Sequence, residues 1–125
     1  MAQVGNPAPA IDLPDGNGNR WQLSQMRGKT VVLLFYPGDE TPVCTKQLCS
    51  VRDNWEQYQE AGAEVVGINS DSVEKHRRFA ANHQLPLRLL SDATGEVTRA
   101  YEMNSFLGTK RGVVVIDKDG VIRYR

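Results

Sequence analysis

An α/β fold built on a covered, largely parallel sheet follows from three features of the 125-residue sequence. Apolar, β-branched runs alternate with stretches of helical period, the pattern of strands joined through helices. A turn-rich N-terminal segment separates two short apolar stretches, which predicts a small β-hairpin ahead of the main sheet. Near the C-terminal end, Lys118-Asp119-Gly120 folds a strong strand back on itself and adds an antiparallel edge.

The elements follow in order. Pro7, Pro9, Pro14 and the run Asp15-Gly16-Asn17-Gly18-Asn19 set the turn of the first hairpin, with its strands near 10–13 and 20–23. Residues 30–36 form a continuous β-branched and aromatic run, read as a central strand that Pro37-Gly38 ends. A helix starts near Thr41 or Pro42 and runs to Gly62, with Leu48, Val51, Trp55 and Tyr58 on its apolar stripe. Gly62 suits the position just past its end. Residues 64–69 are the next strand, and 71–83 a helix capped by Asp71 or Ser72. A short strand at 87–90, a short helix at 95–101, and strands at 112–117 and 121–124 complete the chain. No repeat or linker divides it, so residues 1–125 read as one domain. Val113 and Val115 face one side of their strand, Val114 and Ile116 the other. Only three substantial helices are visible to cover both faces, so further sequence beyond Arg125 or a partner surface is expected to supply the rest.

Composition narrows the function. Fifteen basic and fifteen acidic residues cancel. That balance gives no electrostatic reason to expect nucleic acid or an anionic membrane, and favours a small or neutral substrate. No apolar run approaches a membrane span. Residues 1–9 carry no basic stretch followed by an apolar one, so a cytoplasmic protein or a processed mature form is expected. Two cysteines are too few for a secreted disulfide scaffold. A pair this close in sequence is more often catalytic or metal-binding in a reducing compartment.

The chemistry sits between the central strand and the first helix, in Tyr36-Pro37-Gly38-Asp39-Glu40-Thr41-Pro42-Val43-Cys44. In α/β sheets, the junction where a strand runs into a helix is the usual seat of a site. With Thr41 as cap and Pro42 as first helical residue, Cys44 falls in the first turn. Unpaired backbone N–H groups and the positive end of the helix dipole there favour a thiolate. A thiolate cleaves a peroxide by attacking one oxygen, and the departing oxygen then needs hydrogen-bond donors.

This stretch resembles the active-site pattern of the peroxiredoxins, Pro-x-x-x-Thr/Ser-x-x-Cys, met by Pro37, Thr41 and Cys44. Arg27-Gly28-Lys29, Cys44-Thr45-Lys46-Gln47, Ser70-Asp71-Ser72 and Leu89-Leu90-Ser91-Asp92 are similar to the bacterioferritin comigratory protein, or peroxiredoxin Q, branch. The likeness runs from about Ala8 to the last residue. It implies a thioredoxin-like three-layer sandwich, a mixed sheet flanked by helices with an N-terminal hairpin. It also implies that a further helix covering the sheet follows the terminal hairpin, so that this chain lacks it. Cys44 would be the peroxidatic cysteine. Thr41 would hydrogen-bond thiolate and peroxide, and Pro37 would shield the site from water. Arg111, six residues before Asp117, would orient two oxygens with its planar fork, which neighbouring Lys110 cannot do. Cys49 would resolve the Cys44 sulfenic acid as an intramolecular disulfide, and thioredoxin or a similar dithiol would restore both thiols. Hydrogen peroxide and organic hydroperoxides are the implied substrates, with no cofactor or metal, and a monomer or at most a weak dimer is expected. Val43 stands where the family often has Gly, which bears on pocket width and substrate preference.

Plainer readings stand beside these. Cys44 alone would more often be a small buried hydrophobe; the Pro37, Thr41 and helix-start context argues for the nucleophile. Thr41 could be an N-cap only, Pro37 a strand terminator, Arg111 a solvated edge charge and Cys49 a spare helical cysteine. A zinc site fails on spacing, since Cys-x₄-Cys followed far on by His76 and His83 matches no ligand pattern. Those histidines share a helical face with Val73 and Ala80, so a half-buried packing role is expected. Gly28-Lys29-Thr30 lacks the first glycine of a phosphate loop and precedes a strand. The aromatic residues show no basic interleaving for nucleic acid. The rival functions are a thiol–disulfide oxidoreductase, which would want Cys-x-x-Cys, and a non-catalytic, redox-switched binding module. If the helix over 42–61 is continuous, Cys44 and Cys49 lie about 8.6 Å apart at Cα and cannot bond without local unwinding.

Overall fold

The computed structural model describes residues 2–106 and 108–125. Strands β1 (Asp12–Pro14) and β2 (Arg20–Gln22) form the N-terminal hairpin, with Leu13 opposite Trp21. The Asp15 carboxylate closes its turn by accepting from the Asn17 and Asn19 amides. A single 3-10 turn at Leu23–Met26 follows, taking in Leu23, which the sequence placed at the end of the second strand.

The main sheet comprises β3 (Thr30–Phe35), β4 (Ala63–Asn69), β5 (Arg88–Ser91), β8 (Gly112–Ile116) and β9 (Ile122–Tyr124), in the order β5-β4-β3-β8-β9. Strands β3, β4 and β5 are parallel, while β8 runs antiparallel to β3 and to β9. The sheet is therefore mixed, and the run at 30–36 is its middle strand. The antiparallel partner matters for the site: Gly112 at the start of β8 pairs with Phe35 at the end of β3. Residues just before β8 are thus delivered to the edge where β3 runs out.

Helices α1 (Pro42–Asp53), α2 (Trp55–Glu60), α3 (Val73–His83) and α4 (Glu96–Ala100) flank the sheet. Alternation along β3 divides the core. Val31, Leu33 and Phe35 pack with Ile68, Val114, Ile116, Trp21 and Tyr101 on the face covered by the N-terminal hairpin and α4. Leu34 and Tyr36 pack with Cys44, Leu48, Val51 and Phe79 on the face covered by α1 and α3. Leu33, Phe35, Leu48 and Phe79 are fully buried, each contributing roughly 1.5–3 kcal/mol of hydrophobic stabilisation. Val114 and Ile116 are likewise buried, whereas Val113 and Val115 are partly exposed.

Two expectations need correction. The helix expected to reach Gly62 without interruption breaks at Asn54, whose backbone (φ −112°, ψ 19°) leaves the helical region. Asn54 turns its side-chain amide onto the Ser50 carbonyl at 2.8 Å, the local competition that makes Asn a poor helix interior residue. A further two-stranded ribbon, β6 (Asn104–Ser105) with β7 (Gly108–Thr109), lies in a stretch that carries no strand signal.

Candidate active site

Strand β3 ends at Phe35, and the Tyr36 amide still reaches Ile68 O at 3.3 Å. Pro37 then turns the chain out of the sheet and is exposed. Thr41 occupies the cap position in an extended conformation (φ −78°, ψ 145°), with Pro42 first in α1. The capping bond itself is not made. The Thr41 hydroxyl donates instead to Gly38 O at 3.0 Å, and it also faces the Cys44 sulfur. Its single proton has two acceptors in reach, and a thiolate is the stronger of them.

Cys44 is the third residue of α1 and is 1% exposed. Its inner side packs on Leu48 and Tyr36. Arg111, delivered by the antiparallel run of β8, donates from Nη2 to Cys44 Sγ at 3.3 Å. Its Nη1 donates to Gln47 Oε1 at 2.6 Å, one turn along α1, which fixes the plane of the guanidinium. Burial pushes the Cys44 thiol up. Hydrogen bonds from the Thr41 hydroxyl, the Gly38 amide and Arg111, with the Arg111 charge, outweigh it, and the thiol lies below its ordinary value. The structure therefore gathers Cys44, Thr41 and Arg111 about one sulfur, with Gly38 and Gln47 as members that the motif did not name. Lys110 is exposed and its backbone amide bonds Met103 O.

Cys49 lies on the same continuous helix, partly buried against the α1–α3 core layer, and both cysteines are free thiols. Val43 is 64% exposed. It adds an apolar group to the outer face of the first turn and belongs to neither core layer.

A polar network beneath the loop escaped the sequence reading. Asp39 is buried and accepts from Tyr36 Oη at 2.6 Å and Asn69 Nδ2 at 3.3 Å through Oδ1. Its Oδ2 lies 2.6 Å from His76 Nδ1. The Asp39 amide donates to Asp71 Oδ2 at 2.7 Å. Burial first, then the neighbouring Asp39 carboxylate, raises the Tyr36 phenol well above its usual range, so it stays a donor. His76, expected to be half-buried, is fully enclosed. Among the described residues, no cluster of three or more His, Cys, Asp or Glu side chains is disposed to hold a metal ion.

The class the structure defines is a thioredoxin-like sheet carrying a buried cysteine in the first turn after β3, with an arginine on its sulfur. Residues 4–125 match the AhpC/TSA family, and the chain belongs to it. It is 46% identical over 123 residues to the chloroplastic peroxiredoxin Q of Triticum aestivum, covering 96% of this chain and 57% of the wheat protein. Among solved structures, peroxidoxin BcpB of Mycobacterium tuberculosis superposes with a TM-score of 0.92 at 35% identity, covering 98% of this chain and 83% of that one. The bacterioferritin comigratory protein of Xanthomonas campestris, studied for its alkyl peroxide reduction activity, superposes with a TM-score of 0.91 at 25% identity, covering 99% and 85%. The chain thus spans a little over half the length of the wheat relative.

Proposed function

We propose that the chain is a thiol-dependent peroxidase for hydrogen peroxide and organic hydroperoxides. The observation that carries this reading is the Arg111 guanidinium on a buried sulfur in the first turn of α1, Nη2 to Cys44 Sγ at 3.3 Å, with Thr41 and Gly38 also lowering the thiol. The Cys44 thiolate attacks one peroxide oxygen, so that an S–O bond forms as the O–O bond breaks. The leaving oxygen departs as hydroxide or alkoxide, is held by Arg111 and Thr41, and takes a proton to give water or alcohol. Cys44 is left as a sulfenic acid. The Cys49 sulfur then attacks that sulfur: an S–S bond forms as the S–O bond breaks, and the leaving hydroxide takes the proton given up by the Cys49 thiol and departs as water. A thioredoxin-type dithiol returns both thiols. Pro37, at the strand end, limits water at the loop. The reductant and alkyl hydroperoxide substrates are supported by family membership and by the Xanthomonas protein's alkyl peroxide reduction. The proposed setting is a monomer in a reducing compartment, the cytoplasm, where both thiols persist between turnovers.

The test is hydrogen peroxide consumption coupled to thioredoxin, thioredoxin reductase and reduced nicotinamide cofactor. The wild-type chain turns over at catalytic concentration, and Cys44→Ser does not. Near-normal turnover by Cys44→Ser would remove Cys44 as nucleophile.

A further inference from the structure

The chain's two histidines sit seven residues apart on α3, two turns along one face. Each meets an acidic residue of the loop that leads into α1. His76 Nδ1 lies 2.6 Å from Asp39 Oδ2. His83 Nε2 lies 2.8 Å from Glu40 Oε1, and Asn82 Nδ2 donates to Glu40 Oε2 at 2.8 Å. None of these contacts takes part in the peroxide chemistry described above.

The inner pair is constrained from every side. His76 Nε2 faces the Leu90 carbonyl at 3.1 Å, which can only accept, so that nitrogen carries a proton. The short Nδ1–Oδ2 contact then needs a proton of its own, whether it rides on the ring or on the carboxyl group. Around the pair stand Tyr36 and Asn69 on Asp39, and Asp71 on the Asp39 amide, with Lys75 3.5 Å from Asp71. Next in the loop, Glu40 holds φ at +64°, a left-handed conformation that a non-glycine residue keeps only where its surroundings over-determine it. The α3 contacts supply that determination.

Asp39 and Glu40 lie between Gly38 and Thr41, which are tied to each other by the Thr41 hydroxyl on Gly38 O at 3.0 Å and which stand just ahead of Cys44 in the turn that opens α1; both help hold its thiol below the ordinary value. We infer that His76 is a positioning residue for Cys44: its Nδ1 contact pins Asp39, which aims the Gly38 amide and Thr41 hydroxyl at the sulfur. The consequence for peroxide turnover rests on the peroxidase reading; the aiming of donors at Cys44 does not.

Two isosteric changes separate positioning from bulk packing, both made in a Cys49→Ser background so that one cysteine titrates. His76→Asn places an amide nitrogen near the site of Nδ1 and keeps a donor to Asp39. His76→Gln reaches toward Leu90, as Nε2 does, and leaves Asp39 without its partner. Each removes the ring and one hydrogen bond, so a merely structural role affects both alike. The readouts are the ultraviolet thiolate absorbance of Cys44 against pH and its alkylation rate with iodoacetamide near neutrality. In His76→Gln the thiolate midpoint should rise by about one pH unit and alkylation slow by up to about tenfold, while His76→Asn stays within about twofold of its parent. Equal behaviour of the two variants overturns the inference. Should either variant not fold, the wild-type chain still gives a readout: a His76 ring that exchanges its nitrogen-bound protons as fast as a free imidazole, beside a protected β4, also overturns it. Separation of the variants in a chain that fails to consume hydrogen peroxide would reject the peroxidase and leave the positioning role standing.

Discussion

Oxidation of the reduced chain by one equivalent of hydrogen peroxide sets the Cys44–Cys49 disulfide against helix α1. Both cysteines lie within the unbroken run Pro42–Asp53. Five residues of helical rise with a turn of about 140° separate their Cα atoms by about 8.6 Å. A disulfide needs roughly 4.4–6.8 Å, so about 2 Å or more must be recovered by unwinding. The losses are readable in the structure. Leu48, between the two cysteines, is fully buried, and withdrawing it costs about 2 kcal/mol. Thr45 N donates to Thr41 O at 2.8 Å, and about five such backbone bonds in the first two turns cost roughly 1 kcal/mol each net. Against this, closing so short a loop restricts the unfolded chain by only about 2 kcal/mol. Unwinding wins, and the oxidised chain should be less stable than the reduced one by several kcal/mol. For a domain of this size that is a melting temperature lower by about 10 °C or more. The assay is calorimetry of both forms, with the disulfide confirmed by intact mass, and hydrogen exchange over residues 44–51. Protection there should collapse on oxidation while β3 and β4 stay protected. An oxidised chain with the disulfide confirmed that melts at or above the reduced one, and keeps α1 protected, would refute the reasoning.

Arg111→Lys should slow the peroxide step by about a hundredfold, because an ammonium cannot serve both Cys44 and Gln47 as the guanidinium does; Lys110→Ala should stay near wild type, and stopped-flow rates for the two compare them directly. Hydrogen bonds from Asn82 and then His83 hold the Glu40 carboxyl below its ordinary value. A depressed carboxyl contributes stability above its unfolded-state value and loses it as pH falls through the folded one. Glu40→Gln should therefore melt slightly below wild type near pH 6, with the gap closing by about pH 3; a gap that does not vary with pH would show that the charge on Glu40 contributes nothing.

The sheet could be read from the sequence because its signals are local. Residues 30–36 and 112–116 are short apolar, β-branched runs bounded by turn residues, the local signal of a strand. The position of Cys44 in the first turn of a helix could be read from Thr41-Pro42 just ahead of it, a local signal; Arg111, 67 residues on, could be named only through the family resemblance. Other features depend on contacts that spacing does not carry. Trp55 and Tyr58 continue the stripe of Leu48 and Val51 in period, so periodicity runs straight through the Asn54 break. The ribbon of β6 and β7 has two residues per strand, too few for alternation to show. The pairing of His76 with Asp39 spans 37 residues. A histidine on the Val73–Ala80 face reads as ordinary packing until the loop is seen beneath it. The only signal available was the coincidence of two histidines two turns apart with two adjacent acids in the active-site loop.

The interruption at Asn54 also acts as a firebreak. Helix melting is cooperative along a continuous hydrogen-bond ladder, so a single cylinder from Pro42 to Gly62 would tend to transmit damage at one end to the other. Asn54 cuts that ladder, and its amide returns to Val51 O at 3.2 Å instead of continuing the register. The segment beyond, α2, leads directly into β4 and can keep its seat on the sheet while the turns before it come apart. Were Cys44 and Cys49 to close the proposed disulfide, the disruption would be contained within the 12 residues of α1, and refolding would start again from an undisturbed wall.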